Sequence, residues 1–302
     1  MTDNPLFKIT SEVLSALHSN QPIVALESTV TAHGLPRPQN LQTARRLEQI
    51  VRDGRATPAT TAILGGRLCV GLKEEQLKQI AEADGIRKVS IRDLAIAVAE
   101  KWDGATTVAS TSWIAARAGV KVFATGGIGG VHRGPLPDVS ADLPALASTS
   151  IIVVCSGAKI VLDLPATREW LETYGITVVG FGCDELPAFY SRRSGLPVDA
   201  RCDTAGDVAA IFRTQQALGI ERALLVTVPV PEEFEVPAEH LNTTLNEALD
   251  QAEKQNIGGR ELTPFLLSRM AQASGGATLR ANIALLENNA RVATEIALVL
   301  SR

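Results

Sequence analysis

The sequence predicts a three-layer α/β/α fold with a mostly parallel or mixed central sheet, on the strength of three observations. Short apolar runs of strand length alternate with amphipathic helical patterns along the whole chain. Two such runs, within residues 60–72, flank a Gly-Gly pair typical of a tight turn between strands. No internal repeat or low-complexity linker divides the chain, so we expect one catalytic domain over residues 1–302 with a polar excursion at 191–206.

The elements follow in a regular order. An opening helix at 11–19 precedes the first strand, and Asn40 is the predicted N-cap of the next helix, which Gly54 closes. Helical patterns also lie at 73–85, around 113–118, after residue 164 and after residue 206, and three more follow the last strand. The predicted strand segments are IVALEST (23–29), TTVAST (106–111), KVFATGG (121–127), IIVVCSGAK (151–159), ITVVGFG (176–182) and ALLVTVP (223–229).

Composition argues against several functional classes. The formal charge of −4 leaves no overall basic surface, so we expect no nucleic-acid partner. No apolar run approaches the roughly 18 residues of a membrane helix, and the N-terminus lacks the pattern of a secretory signal. The four cysteines show no C-x-x-C spacing, which favours reduced thiols over a zinc or redox site. We therefore expect a soluble cytoplasmic enzyme.

Polar residues follow three of the predicted strands at the point where each strand ends. Glu27 follows IVAL, Gly126 follows KVFAT and Lys159 follows IIVVCSGA. Ligands of open α/β sheets bind outside the carboxyl ends of the strands. If these strands are parallel, a carboxylate, a glycine-rich loop and an amine meet at one edge of the sheet.

The segment TGGIGGVHRGPLPDVSADL (125–143) is dense in glycine and charge. It matches neither the dinucleotide fingerprint nor the P-loop pattern, which leaves flexible amides beside His132 and Arg133, suited to an anion, or a tight turn without a ligand. Further along, Asp138 and Asp142 flank Ser140. Those oxygens suit Mg²⁺ or Mn²⁺, and the alternative is capping of a helix that begins near residue 141.

Two titratable residues are candidates for catalysis. Lys159 is predicted near a helix start behind a buried strand, which favours a neutral amine able to form Schiff bases; a surface lysine is the alternative. Burial of Glu27 would raise its pKa and suit it to general acid catalysis; the alternative is a carboxylate bonded to nearby backbone. His33 is interpreted as a loop residue or a helper of the site.

Other polar residues have weaker signals. Lys88 and Arg92 are interpreted as phosphate ligands or as a solvated basic face. Asn282, Asn288 and Asn289 lie on a helical pattern and, taken alone, would be interpreted as surface residues.

Together, several long segments resemble the pseudouridine-5′-phosphate glycosidase family, also called the indigoidine synthase A-like family. The resemblance runs in collinear order from about residue 22 to the C-terminus. The segments that carry it are ALESTVTAHGLPRPQN, PATTAILGGRLCVGL, KVSIRDLA, GATTVASTSWIAARAGVKVFATGGIGGVHRG, DVSADL, SGAKIVLDLPATREWLETYGITVVGF and ANIALLENNARV.

The resemblance implies an activity and a set of roles. Family members reversibly split pseudouridine 5′-phosphate with water into uracil and ribose 5-phosphate, use one Mn²⁺ per subunit and form homotrimers. Glu27 corresponds to the proton donor, Lys159 to the covalent nucleophile and Asp138 to the metal ligand. The positions that correspond to substrate-binding or further active-site residues are Lys88, Thr107, Val108, His132, Ser140, Ala141, Asp142 and Asn282.

The chain departs from the family pattern in two places. SIRDLA stands where the family commonly has SRRDLP, so Ile91 and Ala95 replace a basic residue and a proline. The loop between His132 and Asp138 is about two residues shorter than the family pattern and carries Pro135 and Pro137. Both changes bear on substrate affinity.

The carbon–carbon bond between C1′ and uracil C5 requires an electron sink, which a Schiff-base lysine supplies. Two alternatives remain open: a Schiff-base lyase or aldolase acting on another sugar phosphate, and a non-catalytic phosphosugar- or nucleotide-binding protein. A role in pigment biosynthesis, suggested by the family's second name, also remains open.

Overall fold

The strands of the protein form one long mixed sheet and one short ribbon. The computed structural model describes residues 4–133, 138–255, 257 and 262–302. The strands are β1 (Phe7–Ile9), β2 (Ile23–Leu26), β3 (Thr57–Leu64), β4 (Arg67–Val70), β5 (Arg87–Val89), β6 (Gly104–Thr106), β7 (Val122–Ala124), β8 (Val131–His132), β9 (Ile152–Cys155), β10 (Leu162–Asp163), β11 (Thr177–Phe181), β12 (Ala200–Cys202) and β13 (Leu224–Thr227).

The helices include both short connectors and one long C-terminal element. They are α1 (Ser11–His18), α2 (Gln39–Asp53), α3 (Glu74–Glu82), α4 (Leu94–Ala99), α5 (Val108–Ala118), α6 (Asp142–Leu146), α7 (Leu164–Thr173), α8 (Ala205–Ala217), α9 (Ala238–Lys254), α10 (Leu262–Ala273) and α11 (Ala277–Leu300). A turn of π-helix spans Val30–Gly34, and single 3₁₀ turns span Ile91–Asp93 and Glu232–Phe234.

The long sheet has the order β1-β4-β3-β2-β7-β9-β13-β11-β12. Every pairing from β3 to β12 is parallel. β2, β7, β9 and β13 are buried along their whole length, as expected of continuous apolar strands covered on both faces. The predicted turn at Gly65 and Gly66 is confirmed: both adopt positive φ, and β4 returns antiparallel to β3.

Helices cover the sheet on both sides, which confirms the predicted three-layer α/β/α architecture. α11 packs across β2, β7 and β9 and against α2 and α8, while α5 packs on β2 and β3 and against α6. The main apolar core extends from Val13 to Ala297. In the part of the chain that the structure describes, no helix combines the length and apolarity needed to cross a membrane.

The predicted N-cap at Asn40 is wrong. α2 already begins at Gln39, with Pro38 before it, so Asn40 lies inside the first turn. Its buried amide donates to the carbonyl oxygens of Thr31 and Ala81, each at 2.9 Å. Asparagine favours the N-cap position, but the Asn40 side chain instead forms hydrogen bonds to backbone carbonyls of two other segments.

Two predicted segments differ from the structure over part of their length. The strand predicted over 106–111 ends at Thr106, because Thr107 caps α5 and the helix begins at Val108. The predicted polar excursion at 191–206 returns to the sheet as β12, the edge strand that pairs with β11.

Candidate active site

The three strand-end residues lie at one edge of the sheet, as the sequence predicts. β7 stands between β2 and β9, and all three run parallel. Glu27, Gly126 and Lys159 follow the ends of these strands within four residues and line one cavity. Adjacent parallel strands bring their carboxyl ends together, so residues more than a hundred positions apart along the chain become neighbours.

The cavity has two lobes with different walls. Both lobes share five lining residues: Glu27, Thr29, Lys88, Lys159 and Thr263. The polar lobe is further lined by Ser90, Arg92, Thr107, Val108, Gly129, His132, Asp138, Val139, Ser140, Ala141, Asp142 and Leu162. The apolar lobe is further lined by Val30, His33, Gly34, Gly126, Gly127, Phe189, Pro264, Leu267 and Asn282.

Glu27 lies where the two lobes meet. The Thr125 hydroxyl, from the end of β7, donates a hydrogen bond to its Oε1. Burial raises the pKa of Glu27, while the Lys159 charge and the Thr125 hydrogen bond act in the opposite direction. The predicted rise in this pKa is confirmed, and its cause is loss of solvent around the carboxylate.

Lys159 lies in a turn rather than at a helix start. Its backbone N–H donates to the Ile128 carbonyl at 3.2 Å, and its carbonyl accepts from the Leu162 N–H at 3.0 Å. The short strand β10 follows, and α7 begins only at Leu164. The predicted helix terminus at Lys159 is therefore wrong, whereas its predicted convergence with Glu27 is borne out, since half-buried Lys159 lines the same cavity.

Close packing explains two of the glycines in the loop that follows β7. A Cβ on Gly127 would lie 2.7 Å from the Phe189 ring and 3.0 Å from the Gly157 carbonyl oxygen. A Cβ on Gly129 would lie 2.8 Å from an Asp142 carboxylate oxygen. Larger residues would push these walls apart.

The amides of this loop are largely bonded within the protein. The N–H groups of Ile128, Gly129 and His132 donate to the Gly157 carbonyl, the Asp142 carboxylate and the Asp138 carbonyl at 3.0, 2.8 and 2.8 Å. The structure therefore does not support the predicted anion cradle at these three amides. The loop instead builds the wall that separates the lobes.

Asp142 ties this wall to the start of α5. Its buried carboxylate accepts from the Gly129 N–H at 2.8 Å and from the Ala109 N–H at 2.9 Å. The Ser140 hydroxyl accepts from the Asp142 N–H at 3.2 Å, but the N-cap of α6 is Ala141, which makes no side-chain cap bond, so neither Ser140 nor Asp138 is the predicted cap. Ala141 completes this side of the polar lobe.

Asp138 and His132 lie at the rim of the polar lobe. Asp138 is exposed, and its carbonyl accepts the backbone N–H of His132. Burial lowers the pKa of His132, the Asp138 charge opposes that shift, and Lys159 and Lys88 reinforce it. The shortened turn with Pro135 and Pro137 lies outside the described residues.

Within the described residues, no group of three or more His, Cys, Asp or Glu side chains is arranged to hold a metal ion. Asp142 has both carboxylate oxygens engaged by backbone amides. Asp138, exposed at the rim of the polar lobe, offers a carboxylate of the kind that Mg²⁺-like ions bind together with water.

Another part of the polar lobe is basic and includes a helix N-terminus. Half-buried Lys88 comes from β5, exposed Arg92 from the following turn, and Thr107 and Val108 from the start of α5. Of the two departures from the family pattern, Ile91 packs against the core and Ala95 is exposed on α4. The Arg92 beside them lines the lobe.

The apolar lobe contains residues that sequence reasoning missed or underrated. Phe189, from the segment after β11, and Leu267 of α10 had no signal of their own. Asn282 is buried in the lobe wall, and Asn289 is fully buried beneath the strand ends, so the surface interpretation of both is wrong. The separation of seven residues places both on one face of a helix, which is the signal that could have found Asn289.

His33, in the π-helical turn after β2, also lines the apolar lobe. Burial lowers the pKa of His33, and the neighbouring Lys88 charge adds to the shift, so the ring is neutral near pH 7. Its buried Nε2 has no hydrogen-bond partner among the described residues. A buried polar atom of this kind calls for a ligand to complete it.

Comparison with known proteins gives a consistent result. The family model for indigoidine synthase A-like protein matches residues 12–299. A pseudouridine-5′-phosphate glycosidase from Caldanaerobacter subterraneus subsp. tengcongensis is 47% identical over 99% of this chain and 98% of its own. One from Escherichia coli K12 is 48% identical over 97% and 95%.

Solved structures match equally fully. An indigoidine synthase A-like protein from Thermotoga maritima superposes with a TM-score of 0.91 at 38% identity, over 99% of this chain and 98% of that one. The prealnumycin C-glycosynthase AlnA, solved with ribulose 5-phosphate, gives the same TM-score, identity and coverage. The chain belongs to the indigoidine synthase A-like family.

Proposed function

We propose that this chain is a pseudouridine-5′-phosphate glycosidase, which reversibly cleaves pseudouridine 5′-phosphate with water to uracil and ribose 5-phosphate. The observation that carries the proposal is the position of Glu27 and Lys159 where a polar and an apolar lobe meet. A nucleotide whose phosphosugar fills one lobe and whose base fills the other places its glycosidic bond between an acid and an amine. The names of the relatives support the same substrate.

The phosphosugar occupies the polar lobe. Lys88 and Arg92 supply positive charge, and the start of α5 at Val108 supplies a helix N-terminus, an environment that favours phosphate. Ser140 and Ala141 lie across the lobe, where hydroxyl and backbone groups bind ribose hydroxyls. Asp142 acts through the wall that it holds together, since both of its oxygens are occupied.

The base occupies the apolar lobe. The Phe189 ring and the Leu267 side chain provide the flat, apolar surface on which a pyrimidine packs. Asn282 and neutral His33 place an amide and an imidazole in the same wall. These groups complement the alternating donors and acceptors at the edge of uracil.

Glu27 and Lys159 carry the chemistry. Glu27, whose pKa is raised by burial, donates its proton to the ring oxygen as the ribose opens, and the Lys159 amine forms a bond to C1′. Bond formation leaves an extra proton on the lysine nitrogen, and this proton passes through the Glu27 carboxylate to uracil C5. The C1′–C5 electron pair leaves with the base while the lysine nitrogen forms a double bond to C1′. Water adds to this imine, releases ribose 5-phosphate and restores the amine.

The proposal includes Mn²⁺, with Asp138 as its protein ligand and His132 beside it. The exposed carboxylate at the rim of the polar lobe and the engagement of Asp142 elsewhere support this assignment. A bound Mn²⁺ would neutralise negative charge on the phosphosugar.

Assembly and location complete the proposal. The family resemblance supports a homotrimer with one Mn²⁺ per subunit. Light scattering of the purified protein tests the trimer, because it measures the mass of the assembly. Free, mostly buried cysteines support a reducing, cytoplasmic location.

A second candidate function is C-glycoside synthesis on another aromatic acceptor. The likeness to prealnumycin C-glycosynthase favours it, and the apolar lobe is the region that would differ in specificity. A Schiff-base lyase or aldolase acting on other sugar phosphates would share Lys159 but not the base lobe.

The deciding experiment is a turnover assay with pseudouridine 5′-phosphate, following release of uracil with and without Mn²⁺. Uridine 5′-phosphate and simple sugar phosphates serve as competing substrates. We expect uracil only from the C-linked nucleotide, with activity that falls on chelation and returns with Mn²⁺. Tight binding of pseudouridine 5′-phosphate without uracil release would contradict the proposal and favour a binding protein.

A further inference from the structure

Asn289 lies fully buried beneath the ends of β7, which leads to the Thr125 hydroxyl bonded to Glu27, and β9, which leads to Lys159. Its Nδ2 donates to the carbonyl oxygens of Thr125 and Gly126 at 2.8 and 3.4 Å. It also lies 3.1 Å from the Ser156 hydroxyl, whose oxygen is 3.3 Å from the Asn289 Oδ1. One amide thus joins α11 to the chain that follows β7 and to the chain that follows β9.

Beyond these strand ends the backbone pairing of the two segments continues through single hydrogen bonds, and Asn289 adds a side-chain tie to it. The register of β7 with β9 ends at the pairing of Ala124 with Val154. Beyond it, the Ser156 N–H still donates to the Gly126 carbonyl at 2.8 Å. Asn289 adds side-chain hydrogen bonds to both segments, and a buried amide with several partners holds its geometry more firmly than an apolar side chain does.

Thr125 transmits this geometry to Glu27. Thr125 is buried, its carbonyl is held by Asn289, and its hydroxyl donates to the Glu27 carboxylate. The Asn289 amide therefore fixes the residue that orients the acid. The Asn289 amide also donates a hydrogen bond to Ser156, three residues before Lys159. It therefore also constrains the segment that carries the nucleophile.

We propose that Asn289 and Thr125 are positioning residues for the glycosidase reaction, which hold the Glu27 carboxyl in line with the substrate ring oxygen. This inference rests on the proposed function of Glu27 as the proton donor. It assigns the buried asparagine of α11 a part in turnover although it does not line the cavity lobes described above.

The test compares Thr125→Val, Thr125→Ser and Asn289→Leu in the full-length enzyme with pseudouridine 5′-phosphate and Mn²⁺. Misplacement of a catalytic group by about 1 Å costs on the order of 100-fold in rate, so we expect that loss in kcat for Thr125→Val with KM nearly unchanged. Thr125→Ser keeps the hydroxyl and should recover most of the rate. Asn289→Leu should lose about tenfold or more in kcat.

The pH profile separates positioning from packing. The Thr125 hydroxyl stabilises the ionised form of Glu27, so its removal raises the Glu27 pKa further. The basic limb of the kcat profile should then move to higher pH in Thr125→Val and stay in place in Thr125→Ser. Thr294→Val is the matched control, since it removes a buried hydroxyl of α11 that bonds only within the helix.

The outcomes are distinct. Wild-type kcat and an unmoved basic limb in Thr125→Val would overturn the inference, as would an equal loss in Thr125→Ser or in Thr294→Val. If Asn289→Leu does not fold, the two Thr125 variants still decide the matter. A wild-type enzyme that releases no uracil would instead overturn the proposed function itself.

Discussion

The two lobes of the cavity share a floor but differ in their walls. One is walled by Lys88, Arg92, His132 and Asp138, and the other by Phe189, Leu267 and other apolar side chains. Glu27, Lys88 and Lys159 line both lobes, and the proposed acid and nucleophile, Glu27 and Lys159, lie where the lobes meet. Under the proposed function, recognition is divided between the lobes and bond breaking is confined to their junction. Changes at the junction should therefore stop turnover, and changes in one lobe should affect one product only.

The largest effect is expected at Lys159. Lys159→Ala removes the only amine proposed to bond to C1′, and loss of a covalent nucleophile typically costs about 10⁴-fold or more in kcat. Uracil release measures that loss. Borohydride with ribose 5-phosphate should trap an adduct on the wild-type lysine, seen by mass spectrometry. Lys121→Ala, an exposed lysine at the other end of β7, is the control and should behave as wild type. Near-normal activity of Lys159→Ala would disprove the Schiff-base route.

The next effect is expected at Glu27. Removal of a general acid costs about 10²- to 10⁴-fold, so Glu27→Gln should lose this much in kcat while binding of substrate changes little. Because burial raises the Glu27 pKa, the wild type keeps the required protonated form toward neutral pH and loses activity as pH rises through that pKa. The residual activity of Glu27→Gln should lack this basic limb. A Gln variant with an unchanged pH profile would assign the limb to another group.

Much of the fold and the catalytic pair could be predicted because both depend on local patterns. Apolar runs of strand length gave the parallel sheet, and polar residues after them located Glu27 and Lys159. The prediction of a helix start at Lys159 was wrong because the short strand β10 lies between Lys159 and α7. Nothing in the local sequence pattern distinguishes this short strand from the start of a helix.

Most of the residues that line the apolar lobe could not be predicted from the sequence, for a physical reason. Phe189 and Leu267 are ordinary core-forming residues, and only the packing of α10 against the strand ends turns them into walls. The contacts of the polar residues Asn40 and Asn289 could not be predicted for the same reason. Each side chain donates a hydrogen bond to a carbonyl oxygen that is distant in sequence. Long-range partners of a buried amide leave no local signature.

A change confined to the apolar lobe should affect the base alone. His33→Leu removes a neutral imidazole whose Nε2 has no partner among the described residues, so a hydrogen bond to uracil would be lost, worth about tenfold in affinity. In the synthetic direction, the KM for uracil should rise about tenfold. The KM for ribose 5-phosphate should stay within about twofold, since the bond lost is to the base alone. An equal rise in both values would mean that His33 supports the whole cavity.

The smallest effect is expected in the polar lobe at Arg92, and it mirrors the effect at His33. The Arg92 side chain is 72% exposed and lies 3.8 Å from the Asp93 carboxylate, so solvent screens its charge. Arg92→Gln should therefore raise the KM for ribose 5-phosphate only a few-fold, and this difference from wild type should shrink as salt rises. The KM for uracil should not change. Arg87→Gln, on the same strand–turn segment but stacked on the Trp102 ring, is the matched control and should leave both values unchanged. If Arg92→Gln altered the KM for uracil instead, the two lobes would not divide recognition as their walls indicate, and phosphate and base would have to share one region of the cavity.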